Sequence, residues 1–310
     1  MSWENKFNSI IEKFKSGEIY ALAKMVSLVE DNPDYAWEII SKLPKKEHKQ
    51  IIGITGSPGA GKSTLTSKLV EKLAKKGEKI GVIAVDPSSS FSGGAFLGDR
   101  IRMRNITKSQ NVYIRSVASR GSVGGLCDSI FDIVDVMESF GFDKIIIETV
   151  GAGQTEIEIV FVADTILLVM SPDSGDEIQM FKAGIMEIAD GYVVNKTDLP
   201  EANGFMTQLK NTLMLEVESK STRRVFGTSS VLNMGIEDIV SWFDEHYNSL
   251  INTGELNDRQ IRRNKRRIRS NLLRILDKVV YNYDGKIEDL EFAKEKILRE
   301  LCKEENNYEK

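Results

Sequence analysis

Seven short apolar segments alternate with longer stretches of helical period, and this alternation restricts the possible folds more than any other feature. The segments lie at residues 51–55, 80–85, 112–117, 144–149, 165–170, 192–195 and 224–228. Strands that are each followed by a helix or a long loop pair in parallel, because the chain must cross the sheet before the next strand. We therefore predict an α/β fold with a mainly parallel sheet covered by helices on both faces. Ligands bind such sheets at the carboxyl ends of the strands.

Both flanks of this region lack strand patterns and predict helices. Apolar residues recur at helical spacing near the N-terminus and again over 236–249, 255–283 and 287–303. From Ile268 to Tyr283 they recur every three or four residues, which predicts a seam that packs on another helix. The predicted parts are an N-terminal helical extension (1–48), a core (49–235) and a C-terminal helical arm (236–310).

Composition excludes several classes of protein. Of 310 residues, 42 are Lys or Arg and 46 are Asp or Glu, which gives a net charge of −4, and 41% are hydrophobic. These values exclude a disordered chain and a globally basic nucleic-acid coat. The two cysteines, Cys127 and Cys302, form neither a disulfide framework nor a zinc cluster, so we expect a reducing, cytoplasmic compartment. No apolar run approaches the ~20 residues of a membrane span, and we expect no signal peptide.

The segment after the first predicted strand matches the phosphate-binding loop G-x4-G-K-S. Its residues are Gly56, Ser57, Pro58, Gly59, Ala60, Gly61, Lys62 and Ser63, followed by Thr64. The glycines let backbone N–H groups surround a phosphate chain, and the next helix adds the positive end of its dipole. Lys62 reaches the β and γ phosphates, and Ser63 offers its hydroxyl to Mg²⁺. A plain glycine-rich turn is the ordinary alternative, but the strand–turn–helix context favours a nucleoside triphosphate site.

The motif N-K-T-D at 195–198 follows the sixth predicted strand and indicates the base. A carboxylate at Asp198 can accept hydrogen bonds from both N1–H and the N2 amino group of guanine, whereas adenine has no such donor pair. Asn195 can brace the neighbouring loop, and the stem of Lys196 can lie over the base. The loop after the last strand supplies a second wall through backbone N–H groups, unless it only caps the next helix. That wall consists of Ser229, Ser230 and Val231.

Glu148 ends the fourth predicted strand beside the phosphate loop. Its carboxylate can hold Mg²⁺ directly or through water, and Gly151 can bring its N–H to the γ-phosphate. The ordinary alternative for Glu148 is a carboxylate that caps the next turn. Ala152 stands where Ras-like GTPases carry the glutamine that orients water, and Gln154 is the remaining candidate for that role. We therefore predict slow intrinsic hydrolysis of GTP to GDP, accelerated by a partner.

Two further acidic residues, Asp86 and Asp99, stand at the ends of a Ser- and Gly-rich loop after the second predicted strand. Both are candidates for contacts with Mg²⁺ or with the attacking water, and the glycines permit a nucleotide-dependent rearrangement. The ordinary alternatives are a turn cap for Asp86 and a surface helix position for Asp99. The loop at 172–179, taken alone, is typical of a plain helix start.

The segment 259–269 holds seven basic residues in eleven. Contact with nucleic acid or an anionic membrane is one interpretation. The cations flank Ile261 and Ile268 on a predicted helix, however, and no aromatic residue lies among them to stack on a base. This pattern favours a solvated or interprotein helix face.

Six strings in the core form a combination that is more specific than any single motif. They are GSPGAGKST (56–64), DPSSSFSGGAFLGDRIRM (86–103), RGSVGGL (120–126), ETVGAGQTEIE (148–158), the segment 171–190 and NKTD (195–198). Together they resemble the MeaB/ArgK-like family of metallochaperone GTPases, which serve adenosylcobalamin-dependent acyl-CoA mutases such as methylmalonyl-CoA mutase. Ser90 and Ser230 depart from the proline and alanine that are usual in this family, which puts loop rigidity in question.

The resemblance implies a P-loop GTPase core that binds GTP or GDP with Mg²⁺, and a homodimer formed by the C-terminal helices. It implies that GTP gates adenosylcobalamin delivery to the mutase and protects the mutase from inactivation. The loop 173–179 then becomes a third switch that faces the partner, rather than a plain helix start. The implied phosphate and Mg²⁺ residues are Lys62, Ser63, Asp86, Asp99 and Glu148, and Gln154 joins them as a catalytic candidate.

Two other functions stay open at this point. A nucleotide-gated protein that uses its basic arm on nucleic acid predicts salt-dependent binding to DNA or RNA. A small-molecule kinase predicts GTP turnover that a metabolite stimulates. The sequence carries no Asp-x-His-x-x-Gly cobalamin motif, so we expect any cobalamin contact to run through the partner.

Overall fold

The computed structural model describes residues 2–86, 111–118, 129–149, 155–173, 184–215 and 223–281. The chain divides into two compact units between Arg259 and Gln260. The first unit contains the whole described sheet, and the described part of the second is the continuation of one helix. Among the described helices, none is both long enough and apolar enough to cross a membrane.

All seven predicted strands are present in one sheet. They are β1 (Gln50–Gly56), β2 (Ile80–Asp86), β3 (Val112–Ala118), β4 (Lys144–Glu148), β5 (Thr165–Met170), β6 (Gly191–Val194) and β7 (Arg224–Gly227). Their order is β3-β2-β4-β1-β5-β6-β7, and every neighbouring pair is parallel. The chain leaves central β1 toward β2 on one side and later returns to β5 on the other. Sheets of this kind bind ligands at the carboxyl ends of the strands where the strand order reverses, which in this sheet is the crevice at the carboxyl end of β1.

Helices account for most of the remaining described residues. They are α1 (Trp3–Lys15), α2 (Ile19–Asp31), α3 (Ala36–Ser41), α4 (Lys62–Lys75), α5 (Ser129–Phe140), α6 (Thr155–Glu158), α7 (Ile185–Ile188), α8 (Ala202–Leu215), α9 (Ile236–Thr253) and α10 (Glu255–Tyr281), with a 3-10 turn at Ile159–Phe161. The predicted helices at the N-terminus and over 236–249 and 255–283 are confirmed within these bounds. The predicted helix at 287–303 lies outside the described residues.

Alternation along the strands explains why helices cover both faces. In β1, Ile51 joins a core that includes Phe14 and Leu22 of the N-terminal helices. Ile54 joins the opposite core, together with Leu65 of α4. Successive strand side chains point to opposite faces, so a strand that is apolar throughout must be covered twice. The predicted two-sided α/β fold is confirmed, and the N-terminal helices share the hydrophobic core of one face.

Arg259 ties the first turn of α10 to the sheet. Its guanidinium makes two hydrogen bonds to the Asp190 carboxylate, at 2.8 and 2.7 Å, and a third to the Asp164 carbonyl at 2.6 Å. The side chain is only 9% exposed. The interpretation of 259–269 as a solvated or interprotein helix face is therefore wrong at its first residue, because Arg259 binds a buried carboxylate of its own chain that the sequence does not reveal.

His48 connects the segment before β1 to two distant carboxylates. Its Nδ1 lies 2.5 Å from Glu138 of α5, and its Nε2 lies 2.9 Å from Asp164. Burial alone would lower the pKa of His48, but the hydrogen bonds to Asp164 and then to Glu138 outweigh it and raise the pKa to about 9. The imidazolium therefore stabilises the junction between the N-terminal helices and the sheet.

We expect this contact to make stability depend on pH. Because the folded pKa of His48 exceeds its value of 6.5 in the unfolded chain, the contribution is complete below about pH 6.5 and is lost as pH rises through about 9. Its size is about 3 kcal/mol at most, since one pKa unit corresponds to about 1.4 kcal/mol. Chemical denaturation of wild type and His48→Gln at several pH values measures the difference. A gap between the two proteins that stays constant from pH 6.5 to 9.5 would contradict this role.

Candidate functional site

Several strand ends meet at a cavity of about 440 Å³ in the predicted place. It is lined by Pro58, Gly59, Gly61, Lys62, Ser63, Thr64, Ala84, Glu148, Thr149 and Lys196. Small-molecule and cofactor sites usually measure about 300–1,000 Å³, so the volume suits such a ligand. Residues from the ends of β1, β2, β4 and β6 thus contribute to one site.

The phosphate loop requires glycine at its two ends. Gly56 has φ of 138°, and a Cβ there would lie 1.9 Å from the carbonyl oxygen of Val169. Gly61 has φ of 89°, and a Cβ there would lie 2.3 Å from the side-chain nitrogen of Asn195. Both conformations are left-handed, which side chains other than glycine rarely adopt. The backbone can therefore pass close to its neighbours and leave the mouth of the loop open to a ligand.

Lys62 begins α4 and is held against the loop. Its ammonium donates to the carbonyls of Gly56 at 2.5 Å and Ser57 at 2.8 Å, and the residue is only 6% exposed. Ionised phosphate oxygens are stronger acceptors than neutral carbonyls. The oxygens of a triphosphate in the cavity would therefore replace these carbonyls as acceptors for the ammonium, which already lies at the base of the loop.

Ser63 and Glu148 meet across the first turn of α4 and the end of β4. The Ser63 hydroxyl donates to Glu148 Oε1 at 2.5 Å, and Glu148 is 5% exposed. A hydroxyl and a carboxylate are hard oxygen ligands, and Mg²⁺ in nucleotide sites takes one or two carboxylates together with phosphate oxygens and water. These two residues fit Mg²⁺. Among the described residues, no three His, Cys, Asp or Glu side chains cluster into a metal site.

Asn195 joins the phosphate loop to the two loops of the base site. Its side-chain amide donates to the Ala60 carbonyl at 2.9 Å. Its carbonyl oxygen accepts from the hydroxyls of Thr228 at 3.1 Å and Ser230 at 2.9 Å. The residue is 2% exposed. This buried amide therefore fixes the distance between the phosphate and base ends of the site.

Asp198 and the loop after β7, the two predicted walls of the base site, contact each other. The Ser229 hydroxyl donates to Asp198 Oδ1 at 2.5 Å. Ser229 also pairs with Met234 through two backbone hydrogen bonds of 3.2 and 3.0 Å, which closes the loop. At its tip, Val231 is 81% exposed. The structure thus brings together the residues of both predicted walls.

The structure shows two contacts at the cavity that the sequence did not predict. Thr149 donates to the hydroxyl of Thr55 at 3.0 Å, which links the ends of β4 and β1. The ammonium of Lys196 binds both carboxylate oxygens of Asp173 at 3.0 and 2.8 Å. The sequence shows that each residue follows a strand, but it contains no signal for which side chains pair.

Several predicted residues lie outside the description. Asp99, Gly151 and Gln154 fall in segments that the structure does not describe, as does most of the loop 173–179. Asp86 ends β2, two residues beyond the Ala84 that pairs with Glu148, and its side chain lies outside the described part of the structure. Their roles stay predictions.

A comparison with models of protein families shows to which family the chain belongs. The model of the family described as methylmalonyl Co-A mutase-associated GTPase MeaB matches residues 22–284. The chain belongs to this MeaB family. The resemblance inferred from the six strings is therefore confirmed, and the chain is a member of a family of GTPases.

Similar proteins agree with this membership. A protein of Pyrococcus abyssi named as a GTPase is 43% identical over 270 residues, covering 85% of this chain and 83% of its own length. The methylmalonic aciduria type A homolog, mitochondrial, of Caenorhabditis elegans is 31% identical over 272 residues, covering 81% and 68%. A crystal structure of LAO/AO transport system kinase superposes with a TM-score of 0.71 at 24% identity, covering 91% and 88%, and that likeness concerns the fold.

Proposed function

We propose that this protein binds and hydrolyses GTP in the cytoplasm, and thereby gates adenosylcobalamin delivery to an acyl-CoA mutase and protects that mutase. The contact between Asn195 and Ala60 carries the nucleotide part, because it joins the phosphate loop to the base loop at 2.9 Å. One nucleotide can then occupy both ends. The mutase part rests on the family, which is described as associated with methylmalonyl Co-A mutase.

The residues of the site have distinct roles in this proposal. The loop N–H groups and Lys62 bind the phosphates, and Asp198 accepts the two donors of guanine. Ser63 and Glu148 hold Mg²⁺, with Asp86 and Asp99 as further proposed contacts. When bound, Mg²⁺ supplies neutralisation of the charge that spreads over the phosphate oxygens. Most of the catalytic work is thus positioning and electrostatic stabilisation.

In this proposal, a partner accelerates hydrolysis by helping to orient the attacking water. Ala152 cannot orient a water molecule, and Gln154 is the proposed substitute. A water that is poorly oriented in the isolated protein makes hydrolysis slow, and an interface that orders this region makes it faster. We therefore propose that the mutase stimulates hydrolysis.

We also propose a homodimer that forms through the C-terminal helices. Within α10, Ile261 is 43% exposed, Ile268 is 60% exposed and Leu272 is 58% exposed. These residues recur at helical spacing, and a helix with an exposed apolar seam gains stability by packing on another helix. The proposed parts of the chain remain 1–48, 49–235 and 236–310.

Single-turnover GTP hydrolysis with and without an acyl-CoA mutase tests this function. We expect the mutase to raise the rate by about 10-fold or more, since a partner that completes a GTPase site can contribute much larger factors. Lys62→Met, assayed with the same mutase, controls for contaminating hydrolysis. A rate that the mutase leaves unchanged, and that DNA, RNA or a small metabolite raises instead, would favour one of the other two functions.

A further inference from the structure

An ion pair joins the loop after β5 to the base-binding motif. Lys196 Nζ lies 3.0 and 2.8 Å from the two carboxylate oxygens of Asp173. Asp173 follows β5 by three residues and Lys196 follows β6 by two, and these strands are direct neighbours in the sheet. The pair therefore spans two adjacent strand ends on the ligand-binding edge.

The backbone of Lys196 is fixed independently of this pair. Asn195 donates its N–H to Met170 at 2.8 Å, and Thr197 donates to Thr228 at 3.0 Å. Between them, Lys196 has φ of 60°, a left-handed conformation that few residues other than glycine adopt. Such a conformation persists where the surroundings determine it. The start of the lysine stem thus has one position, and the stem lines the cavity.

Asp173 fixes the other end of the lysine. Its hydrogen bond with Lys196 lowers the pKa of the Asp173 carboxyl, so Asp173 is ionised at neutral pH. The side chains of Lys196 and Asp173 are 31% and 49% exposed. Ion pairs with such exposure contribute little to folding stability. The main contribution of the Asp173–Lys196 pair is therefore expected in ligand binding rather than in folding stability.

We propose that Asp173 is a positioning residue for the nucleotide, because its carboxylate holds the Lys196 side chain along the cavity wall where the stem packs on guanine. This inference rests on the proposed binding of a guanine nucleotide in the cavity. A free lysine loses rotamer freedom when a base settles on its stem. A lysine that is already held at both ends loses less, so the nucleotide binds more tightly.

A double-mutant cycle isolates this coupling. Lys196→Met keeps an unbranched apolar stem and removes the ammonium, and Asp173→Asn removes the charge of the carboxylate. We expect Asp173→Asn to raise the Kd for GDP by about 3- to 10-fold in wild type and to leave it unchanged in the Lys196→Met background. In GTP turnover, the KM should rise by the same factor while kcat is retained. Calorimetric titration of the full chain with GDP measures the four affinities.

Glu71→Gln is a matched control. It neutralises the acidic partner of Lys75 in a surface pair on α4, where the two charged atoms lie 2.7 Å apart. It should leave the Kd for GDP unchanged. An Asp173→Asn effect that is equally large in the Lys196→Met background, or no effect in wild type, overturns the inference. If wild type binds GDP without coupling, only this inference fails, whereas absence of GDP binding by wild type would defeat the proposed function.

Discussion

Asp198→Asn is expected to lower the affinity for GTP by about 100-fold or more, because hydrogen bonds to a charged group contribute about 1.5–3 kcal/mol each. The carboxylate accepts from both N1–H and the N2 amino group of guanine. An amide in its place offers one acceptor, and its NH₂ group faces a donor. Xanthine carries a carbonyl at C2, so the variant should bind xanthosine triphosphate better than wild type does. Equilibrium titrations of both proteins with both nucleotides measure this exchange of preference.

Ser229→Ala is the control for this experiment. It removes the hydroxyl that donates to Asp198 at 2.5 Å but keeps the carboxylate. A neutral donor contributes about 0.5–1.5 kcal/mol, so affinity should fall by about 10-fold at most and guanine should stay preferred. Unchanged GTP affinity in Asp198→Asn would show that the base does not bind at the N-K-T-D loop.

Lys62→Met is expected to reduce single-turnover GTP hydrolysis by about 10²- to 10³-fold, the usual loss when one preorganised donor to transition-state charge is removed. The ammonium stands 2.5 Å from the Gly56 carbonyl, at the base of the phosphate loop. From there it can follow the charge that develops on the β and γ phosphate oxygens. Rapid-quench assays at saturating GTP separate this effect from weaker binding.

Lys75→Met on the same helix provides the comparison. Lys75 is 69% exposed and pairs with Glu71 on the surface, so its loss should leave the hydrolysis rate within about twofold of wild type, as expected for an exposed pair. Equal losses in both lysine variants would indicate damage to α4 rather than removal of a phosphate contact.

Strands and loops were predictable because their signals are local. An apolar run that is buried on both faces, such as β1, identifies a strand of a covered parallel sheet. The ends of such strands share one edge, so the meeting of Ser63 with Glu148 follows from topology. The spacing of the phosphate loop and of the N-K-T-D motif added the chemistry.

Several other contacts between side chains that are distant in sequence were not predictable. His48 lies between Glu138 and Asp164, which are 90 and 116 residues away along the chain. Arg259 and Asp190 are 69 residues apart. Such pairs depend on strand register and side-chain direction, which no local pattern encodes. The same reason hid the partnership of Asp173 with Lys196.

Every proposed role depends on one guanine nucleotide binding to the phosphate loop and to the N-K-T-D loop at once. Calorimetric titration of the full chain with GTP and with ATP, each with Mg²⁺, measures this most directly. We expect one GTP site per chain. The affinity for ATP should be lower than the affinity for GTP by about 100-fold or more, because adenine leaves the Asp198 carboxylate without its two donors. Equal affinity for the two nucleotides, or no binding of GTP, would contradict the central claim.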